Sequence, residues 1–353
     1  MGRTTGTTGI DDVARAAGVS ASTVSRVMNG RAGVDAALAE RVRTAASSLG
    51  YRPNPLARSL VLGRTQTIAV VVPDLANPTF QGMLRGVTLA AARDGYRVLV
   101  ADTSEDAAAE EAIVRETRQR CDAVVLCSPR MASDVLIAAV AALDPVVVIN
   151  REVPGIPGVS ADYRVGIVEL LEHLATLGHR RLVYAAGSPS SASDAARRAG
   201  LADFALARPD VEVLTVEAGA TFGDGAAAAS VVVESGATGV VAFNDLVAMG
   251  VLASLAAQGI AVPAEVSVVG FDDIPFAAFT TPALTTAAVP VGELGELAWR
   301  RLAARFAGEE PEGDVMLRPE LRVRASSGPV RTVISPAAGA GAGAGAETGA
   351  GRS

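Results

Sequence analysis

Apolar positions recur along this chain in two different rhythms. Over the first fifty residues the spacing is helical. Ile10, Val13, Ala14 and Ala17 fall at i, i+3, i+4 and i+7, one face of a first helix that Gly18 stops. Ser20 can N-cap a second helix with Val24, Val27 and Met28 inward, ended by Asn29-Gly30. Asp35 can cap a third, with Leu38, Val42, Ala45, Ala46 and Leu49 inward and Gly50 just past its end. In the stretch "RPNPLARSLVLGRT", Asn54 is an N-cap candidate, Pro55 suits the first helical position and Gly63 the end. A helix of about eight residues is marginal alone in water. This one carries Arg58 between Arg52 and Arg64 with no acid, so it reads as a linker that becomes helical only against a partner.

From Thr67 onward, short β-branched runs alternate with longer Ala-rich helical stretches. The strands predicted are "TIAVVV", "RVLVA", "AVVLC", "VVVIN", "RLVYAA", "EVLTV", "GVVAF" and "VSVVG". Strands separated by helices imply right-handed βαβ units and parallel sheet. This region is long for one such sheet, so two lobes are expected. Ligands in these folds bind beyond the carboxyl ends of the strands. The residues that matter most there are Asp74 to Phe80, Asp102-Thr103, Ser128, Asn150-Arg151, Gly187 to Ser193, Asn244-Asp245 and Asp272-Asp273.

Composition narrows the function classes. Half of the 353 residues are hydrophobic, enough for a large core. No run reaches the roughly 18 apolar residues that a membrane span needs, and "MGRTTGTTGI" has no apolar signal region, so a cytoplasmic protein is expected. The net charge of −7 hides an asymmetry: residues 1–64 carry nine arginines against four acids, and the rest is acidic. A basic head on an acidic body points to a polyanion as the head's partner. Cys121 and Cys127 lack metal-site spacing and read as structural thiols in a reduced compartment. His173 and His179 fit neither a metal site nor a base beside a nucleophile, so no cofactor, metal or enzymatic activity is expected. They lie where imidazoles meet a helix C-terminus. The Gly-Ala tail after about Pro336 is low in complexity and is assigned no chemistry.

The second helix carries the clearest chemistry. With Val24, Val27 and Met28 inward, its outward face offers Ala21, Ser22, Thr23, Ser25, Arg26 and Asn29. In a helix-turn-helix the second helix enters the major groove of DNA. Small residues at 21 and 22 permit close approach, and Arg26 can pair with guanine or phosphate. Asn29 can reach backbone or base. The hydroxyls of Ser20, Ser22 and Thr23 near a helix N-terminus suit phosphate oxygens. A solvated face of a small bundle is the other reading, and the basic charge weighs against it.

The stretches "IDDVARAAGVSASTVSRVMNG", "ERVRTAASSLGYRPNPLARSL", "IAVVVPDLANPTF", "LGHRRLVYAAG", "FNDLVAMGVL", "VPAEVSVVGFDD" and "TPALTT" resemble the LacI/GalR family of bacterial transcription regulators, in order and at family-like spacing. The resemblance runs from about residue 8 to 327. It implies an α/β protein: an N-terminal all-α helix-turn-helix domain (8–53), a hinge helix (54–64) and a two-lobed, periplasmic-binding-protein-like core with parallel sheets (65–328). Lobe 1 would take about 65–161 and 290–319, lobe 2 about 162–289 and 320–328, with a tail at 329–353. It implies a repressor that binds a pseudo-palindromic double-stranded DNA operator as a homodimer, with affinity set by a small effector, a sugar. Asn54, Arg58 and Leu60 would belong to the hinge, with Leu60 as a minor-groove wedge or, more plainly, a core residue of a short helix. Thr79, Phe80, Asn150, Ser191, Asn244 and Asp272 match positions around the effector. Asp272 could accept two hydroxyls or cap the turn at 273–279, and Asn244 could equally be a helix cap.

Some positions depart from the family pattern. The arginine that many sugar-responsive members carry in the loop is Ala195, although Arg197 and Arg198 follow, and the purine-type arginine is Ser191. Asp35 stands where the family often has Ser, and the tail lacks the leucine heptads of a tetramer. Two alternatives stay open: a catabolite regulator that needs a phosphorylated carrier protein as corepressor, and a solute-binding protein for uptake, which the missing export signal and the basic head disfavour.

Overall fold

The computed structural model describes residues 8–28, 33–52, 63–156, 158–309 and 313–330. Three helices form the head: α1 (Ile10–Ala17), α2 (Ala21–Met28) and α3 (Ala36–Ser48). Val13, Ala14, Ala17, Val24, Val27, Ala39, Val42, Ala45 and Ala46 make their common core. Gly18 closes α1 in the left-handed region at φ 62°, where a Cβ would be strained. The Oδ1 of Asp35 accepts from the Leu38 N–H at 3.0 Å and so caps α3. Met28 and Leu38 are only half-buried, and Leu49 is exposed rather than inward. The helix ends at Ser48, and the chain reverses through Gly50, so Tyr51 packs on the core in its place.

The core alternates strand and helix. Its first part runs β1 (Thr67–Val72), α4 (Pro78–Arg93), β2 (Arg97–Asp102), α5 (Ala107–Arg118), β3 (Ala123–Cys127), α6 (Ser133–Ala142), β4 (Val146–Ile149) and β5 (Val159–Ala161). The second runs α7 (Tyr163–Thr176), β6 (Arg181–Ala186), α8 (Ala192–Ala207), β7 (Glu212–Glu217), α9 (Phe222–Ser235), β8 (Gly239–Ala242), α10 (Asp245–Ala257), β9 (Ser267–Asp272) and β10 (Thr285–Ala288). Helix α11 (Val291–Phe306) and strands β11 (Val315–Leu317) and β12 (Glu320–Arg322) follow. Two six-stranded sheets result, ordered β11-β5-β4-β3-β1-β2 and β12-β10-β9-β8-β6-β7. All pairings are parallel except β10 with β12. The chain passes between the sheets after β5, after β10 and between β11 and β12.

All eight predicted strands form. The short strands β5, β10, β11 and β12 were not predicted: unlike β4 and β8, which are no longer than β10, they carry no β-branched apolar run. One hydrophobic cluster includes residues of both sheets, among them Val70, Phe80, Tyr163, Tyr184 and Phe271. Among the described residues no helix is long and apolar enough to cross a membrane. Cys121 and Cys127 are buried and unpaired, and burial pushes the Cys127 thiol up to about 12, which leaves it inert at neutral pH. The His173 and His179 rings pin the C-terminal segment rather than cap a helix: His173 Nε2 meets Ser327 Oγ at 2.9 Å and His179 Nε2 meets the Gly328 carbonyl at 3.1 Å. Burial lowers both pKa values, because desolvation disfavours the charged ring.

Close helix contact braces each sheet. A Cβ on Gly86 of α4 would lie 2.1 Å from the Gly292 carbonyl oxygen of α11, and one on Gly250 of α10 would lie 2.1 Å from the Phe222 carbonyl oxygen of α9. Gly86→Ala is therefore expected to cost about 1–3 kcal/mol by overpacking. Gly292 has open space around its missing Cβ, so Gly292→Ala should be neutral or stabilise by at most about 1 kcal/mol through helix propensity. Urea unfolding of both variants checks the contrast, and equal effects would remove the close-packing account.

Candidate functional site

Two regions gather the predicted site residues. On α2, Ser22 and Arg26 are exposed, while Ala21, Thr23 and Ser25 are half-buried beside the inward Val24 and Val27. Ser20 precedes the helix, and its Oγ accepts from the Thr23 N–H at 3.2 Å. The same oxygen lies 2.9 Å from both Ser22 Oγ and Thr23 Oγ1, so three hydroxyls cluster at the helix N-terminus. Arg41 of α3 donates to the Ala17 carbonyl at 2.5 Å, fixing the end of α1. Asn29, Asn54, Arg58 and Leu60 lie outside the described residues.

The second region lies between the two sheets, beyond their carboxyl ends. Thr79, Phe80, Asn244 and Asp272 line one small cavity of about 30 Å³, together with Glu105, Ser128, Arg130, Tyr163, Ser193, Arg197 and Phe243. The Thr79 hydroxyl donates to Asp272 Oδ2 at 2.7 Å, a bond from α4 beside the first sheet to the end of β9 in the second. Asp272 is therefore not a cap for the following turn. Its φ of 106° turns it out of β9. Burial pushes its carboxyl up to about 6, and Arg197 and the Thr79 hydroxyl limit the rise.

Asn244 does cap a helix: its Oδ1 accepts from the Val247 N–H at 2.9 Å, and its Nδ2 donates to the Ala220 carbonyl at 3.0 Å. Ser191 likewise caps α8, accepting from the Asp194 N–H at 3.3 Å. Asn150 is engaged on both ends of its amide: Nδ2 donates to the Tyr163 hydroxyl at 2.8 Å and Oδ1 accepts from the Ala161 N–H at 2.9 Å. Asn150 and Ser191 line a separate, solvent-open groove of about 720 Å³ that shares only Tyr163 and Ser193 with the cavity. The six positions are thus divided between two adjoining compartments.

Sequence reasoning missed the central residue. Arg197 is 1% exposed, and its guanidinium carbon sits 4.0 Å from the Phe271 ring centroid, 4.4 Å from that of Tyr163 and 4.6 Å from that of Phe243. Its Nη2 is 4.0 Å from Asp272 Oδ1, while Nε and Nη1 have no hydrogen-bond partner among the described residues. The signal was its place on the apolar face of α8 with Leu201 and Phe204, four and seven residues on, whereas Arg198 faces out to Asp194 and Glu217. Asp194 was missed too; it holds the serine loop by accepting from the Gly187 N–H at 2.9 Å and the Tyr184 hydroxyl at 2.6 Å.

Comparison with known proteins places both regions. Residues 9–54 match the model for bacterial regulatory proteins of the lacI family, and residues 171–327 match a periplasmic binding protein-like domain. GalS of Salmonella typhimurium, an HTH-type transcriptional regulator, is 36% identical over 82% of this chain and 87% of its own. The chain belongs to the lacI family of bacterial regulators. It is a DNA-binding regulator of transcription with a periplasmic-binding-protein-like core. The lac repressor dimer bound to operator and the anti-inducer ONPF superposes with a TM-score of 0.82 at 26% identity, covering 92% of this chain and all of that one. A lacI family regulator from Enterococcus faecium with bound ribose gives a TM-score of 0.68 at 25% identity over 75% of this chain and 100% of that one.

The raised pKa of Asp272 makes a signed prediction. The folded protein holds this proton more readily than the unfolded chain, whose carboxyl stays near the ordinary aspartate value of 3.8. Burial of the charge therefore costs most above about 6, and the cost is relieved as pH falls from there toward 3.8, by up to about 1.4 kcal/mol per pH unit. Wild type should gain stability relative to Asp272→Asn between pH 7 and pH 5 in urea titrations. A difference constant over that range would mean that Asp272 titrates normally.

Proposed function

We propose that this chain is a homodimeric repressor that binds a pseudo-palindromic operator and loses or gains operator affinity when a sugar occupies the space between the two lobes. The observation that carries the effector reading is the pairing, in one buried cavity, of an Asp272 carboxylate with the unpartnered Nε and Nη1 of Arg197. Buried polar groups require partners. A carboxylate that accepts vicinal hydroxyls, beside a guanidinium that donates to ring or hydroxyl oxygens, suits a polyol. The aromatic rings of Phe271, Tyr163 and Phe243 around Arg197 offer flat apolar walls to a sugar's C–H face.

In this reading residues 8–53 read DNA, 54–64 form the hinge, and the core divides into lobe 1 (65–161 and 290–319) and lobe 2 (162–289 and 320–328), with a tail at 329–353. Ser20, Ala21, Ser22, Thr23, Ser25, Arg26 and Asn29 meet the major groove, while Asn54, Arg58 and Leu60 serve the minor groove between two subunits. Thr79, Phe80, Asn150, Ser191, Asn244 and Asp272 surround the effector, and Arg197 joins them. A cavity of about 30 Å³ admits only about two waters. A sugar must therefore break the bond from Thr79 to Asp272 and part the lobes. An effector that binds one lobe arrangement better shifts the population toward it. Lobe 1 follows the hinge directly, and Arg64 lies over the Phe306 ring of α11 at 5.7 Å, so lobe 1 sets the position of the hinge. Parting the lobes changes the spacing of the two hinges and so the affinity for DNA. The protein acts where DNA is, in the cytoplasm.

Selection of bound duplexes from a random pool, at roughly physiological salt, tests the DNA half. A pseudo-palindrome of two half-sites is expected, with Arg26→Ala costing about 1–3 kcal/mol at one base position if it reads guanine. No enriched sequence, with or without sugars and carrier protein, would end the proposal. Leu60→Ala should weaken operator binding and leave sugar binding intact. Asp272→Ala removes both the sugar's acceptor and the Thr79 bond across the lobes, so its operator affinity, whatever its value, should be the same with and without sugar in a filter-binding assay.

A further inference from the structure

The two adjoining compartments carry information about the size of the effector. The cavity that holds Arg197 and Asp272 is about 30 Å³, whereas the groove beside it is about 720 Å³ and open to solvent. Ligand pockets run from about 300 to 1,000 Å³, so the groove alone is large enough for a ligand of sugar size. Tyr163 and Ser193 line both spaces, and Tyr163, buried and held by Asn150 at 2.8 Å, stands between them, so a ligand on Asp272 reaches the groove when the lobes part and this wall shifts. A bound pentose or hexose on Asp272 would leave the groove unfilled.

The lining of the groove has a distinct chemistry. One wall is α8, which presents only small side chains there: Ser191, Ala192, Ala195, Ala196 and Ala199. Ala195 and Ala199 are exposed, one turn apart, and give the wall a smooth apolar strip. The facing wall carries Asn150, Arg151, Ser160 and the exposed Met316. Its arginines are committed. Arg164 makes a two-pronged bond to Asp203, at 2.5 and 2.7 Å, and Arg151 donates to the carbonyls of Pro129 at 2.7 Å and Met131 at 2.6 Å. Asp162 accepts from the Val165 N–H at 2.9 Å, and Glu152 stands beside Arg151 on the rim. Positive and negative groups balance, so the groove offers no surplus cation for a phosphate. Serine hydroxyls and an apolar strip without net charge fit a neutral pyranose ring or a plain aglycone.

We infer that the effector is a neutral glycoside of at least two units, with one sugar on Asp272 and Arg197 and the next unit in the groove along α8. This rests on the sugar reading of the cleft. The test is isothermal titration of the full-length protein with glucose, galactose and ribose, with the disaccharides maltose, cellobiose, lactose and melibiose, and with glucose 6-phosphate. At least one disaccharide is expected to bind tenfold or more tightly than either of its component sugars. Ala195→Trp, at an exposed position, should reduce that ratio to near one; Ala199→Trp should do the same. Because both affinities are read on one sample, an unfolded fraction cancels. A monosaccharide that binds as tightly as every disaccharide containing it, with a ratio indifferent to both tryptophans, overturns the inference while the sugar reading stands. Preference for glucose 6-phosphate, lost in the tryptophan variants, overturns the neutral occupant. No binding by any probe overturns the sugar reading, and this inference with it.

Discussion

The guanidinium of Arg197 is the constraint around which the core is arranged. It is buried among three aromatic rings, 4.0 Å from its counter-charge, with two of its nitrogens unpartnered among the described residues. A buried charge so incompletely paired costs stability, and a hydrophobic residue of similar size would fill the same space at less cost. Binding sites retain such groups because the ligand supplies the absent partner, so the cost in the free protein becomes discrimination on binding. The Thr79 hydroxyl stands in on the carboxylate side. That bond also ties one sheet to the other, so satisfaction of Asp272 and closure of the lobes are one event.

Around this pair, buried acids hold the loops still. Glu110 is 1% exposed and accepts the N–H groups of Arg130 and Met131 at 2.7 and 2.6 Å, which fixes the turn after β3. Asp245 accepts the Thr286 hydroxyl at 2.6 Å and the Ile274 N–H at 2.8 Å, which fixes the turn after β9. Burial raises the pKa of each acid, and the hydrogen bonds oppose that rise. The loops that line the cleft are therefore rigid within each lobe. Only three chain crossings join the two sheets, an arrangement that suits hinge motion of whole lobes over rearrangement of loops.

Periodicity made the strand-helix alternation legible, because β-branched runs and Ala-rich helices differ in period and length. It made the head legible too, down to the Asp35 cap. The short strands β5, β10, β11 and β12 stayed hidden because VSA, TTAA, VML and ELR lack the β-branched apolar runs that marked β4 and β8, which are no longer than β10. Leu49 was misplaced because the helical period says nothing about where a helix stops, and Gly50 turns the chain one residue later. In the cleft, position after a strand picked out Thr79, Asn244 and Asp272, but it could not say which would cap a helix and which would face the opposite lobe. Asn244 and Ser191 bind their own helices, while Asp272 reaches across. That difference depends on the opposing sheet, which no local pattern encodes. Arg197 was recoverable in principle, since a charge on the apolar face of a helix is itself an anomaly.

The head follows a different logic from the cleft. Its three hydroxyls on Ser20, Ser22 and Thr23 are satisfied among themselves and by one backbone N–H, at the exposed surface. Hydroxyl contacts at the surface compete with water and contribute little net stability, so giving them up would cost the head little. The arginines of residues 1–64 give the head a positive field, a long-range attraction for polyanions that salt weakens. The acidic body repels the same polyanion and leaves the head as the face that DNA meets. Binding at the head is thus cheap to make and break, whereas the cleft holds a costly buried charge. A regulator needs this inequality: the ligand site must store enough free energy in its lobe arrangement to overrule a DNA contact that is weak residue by residue.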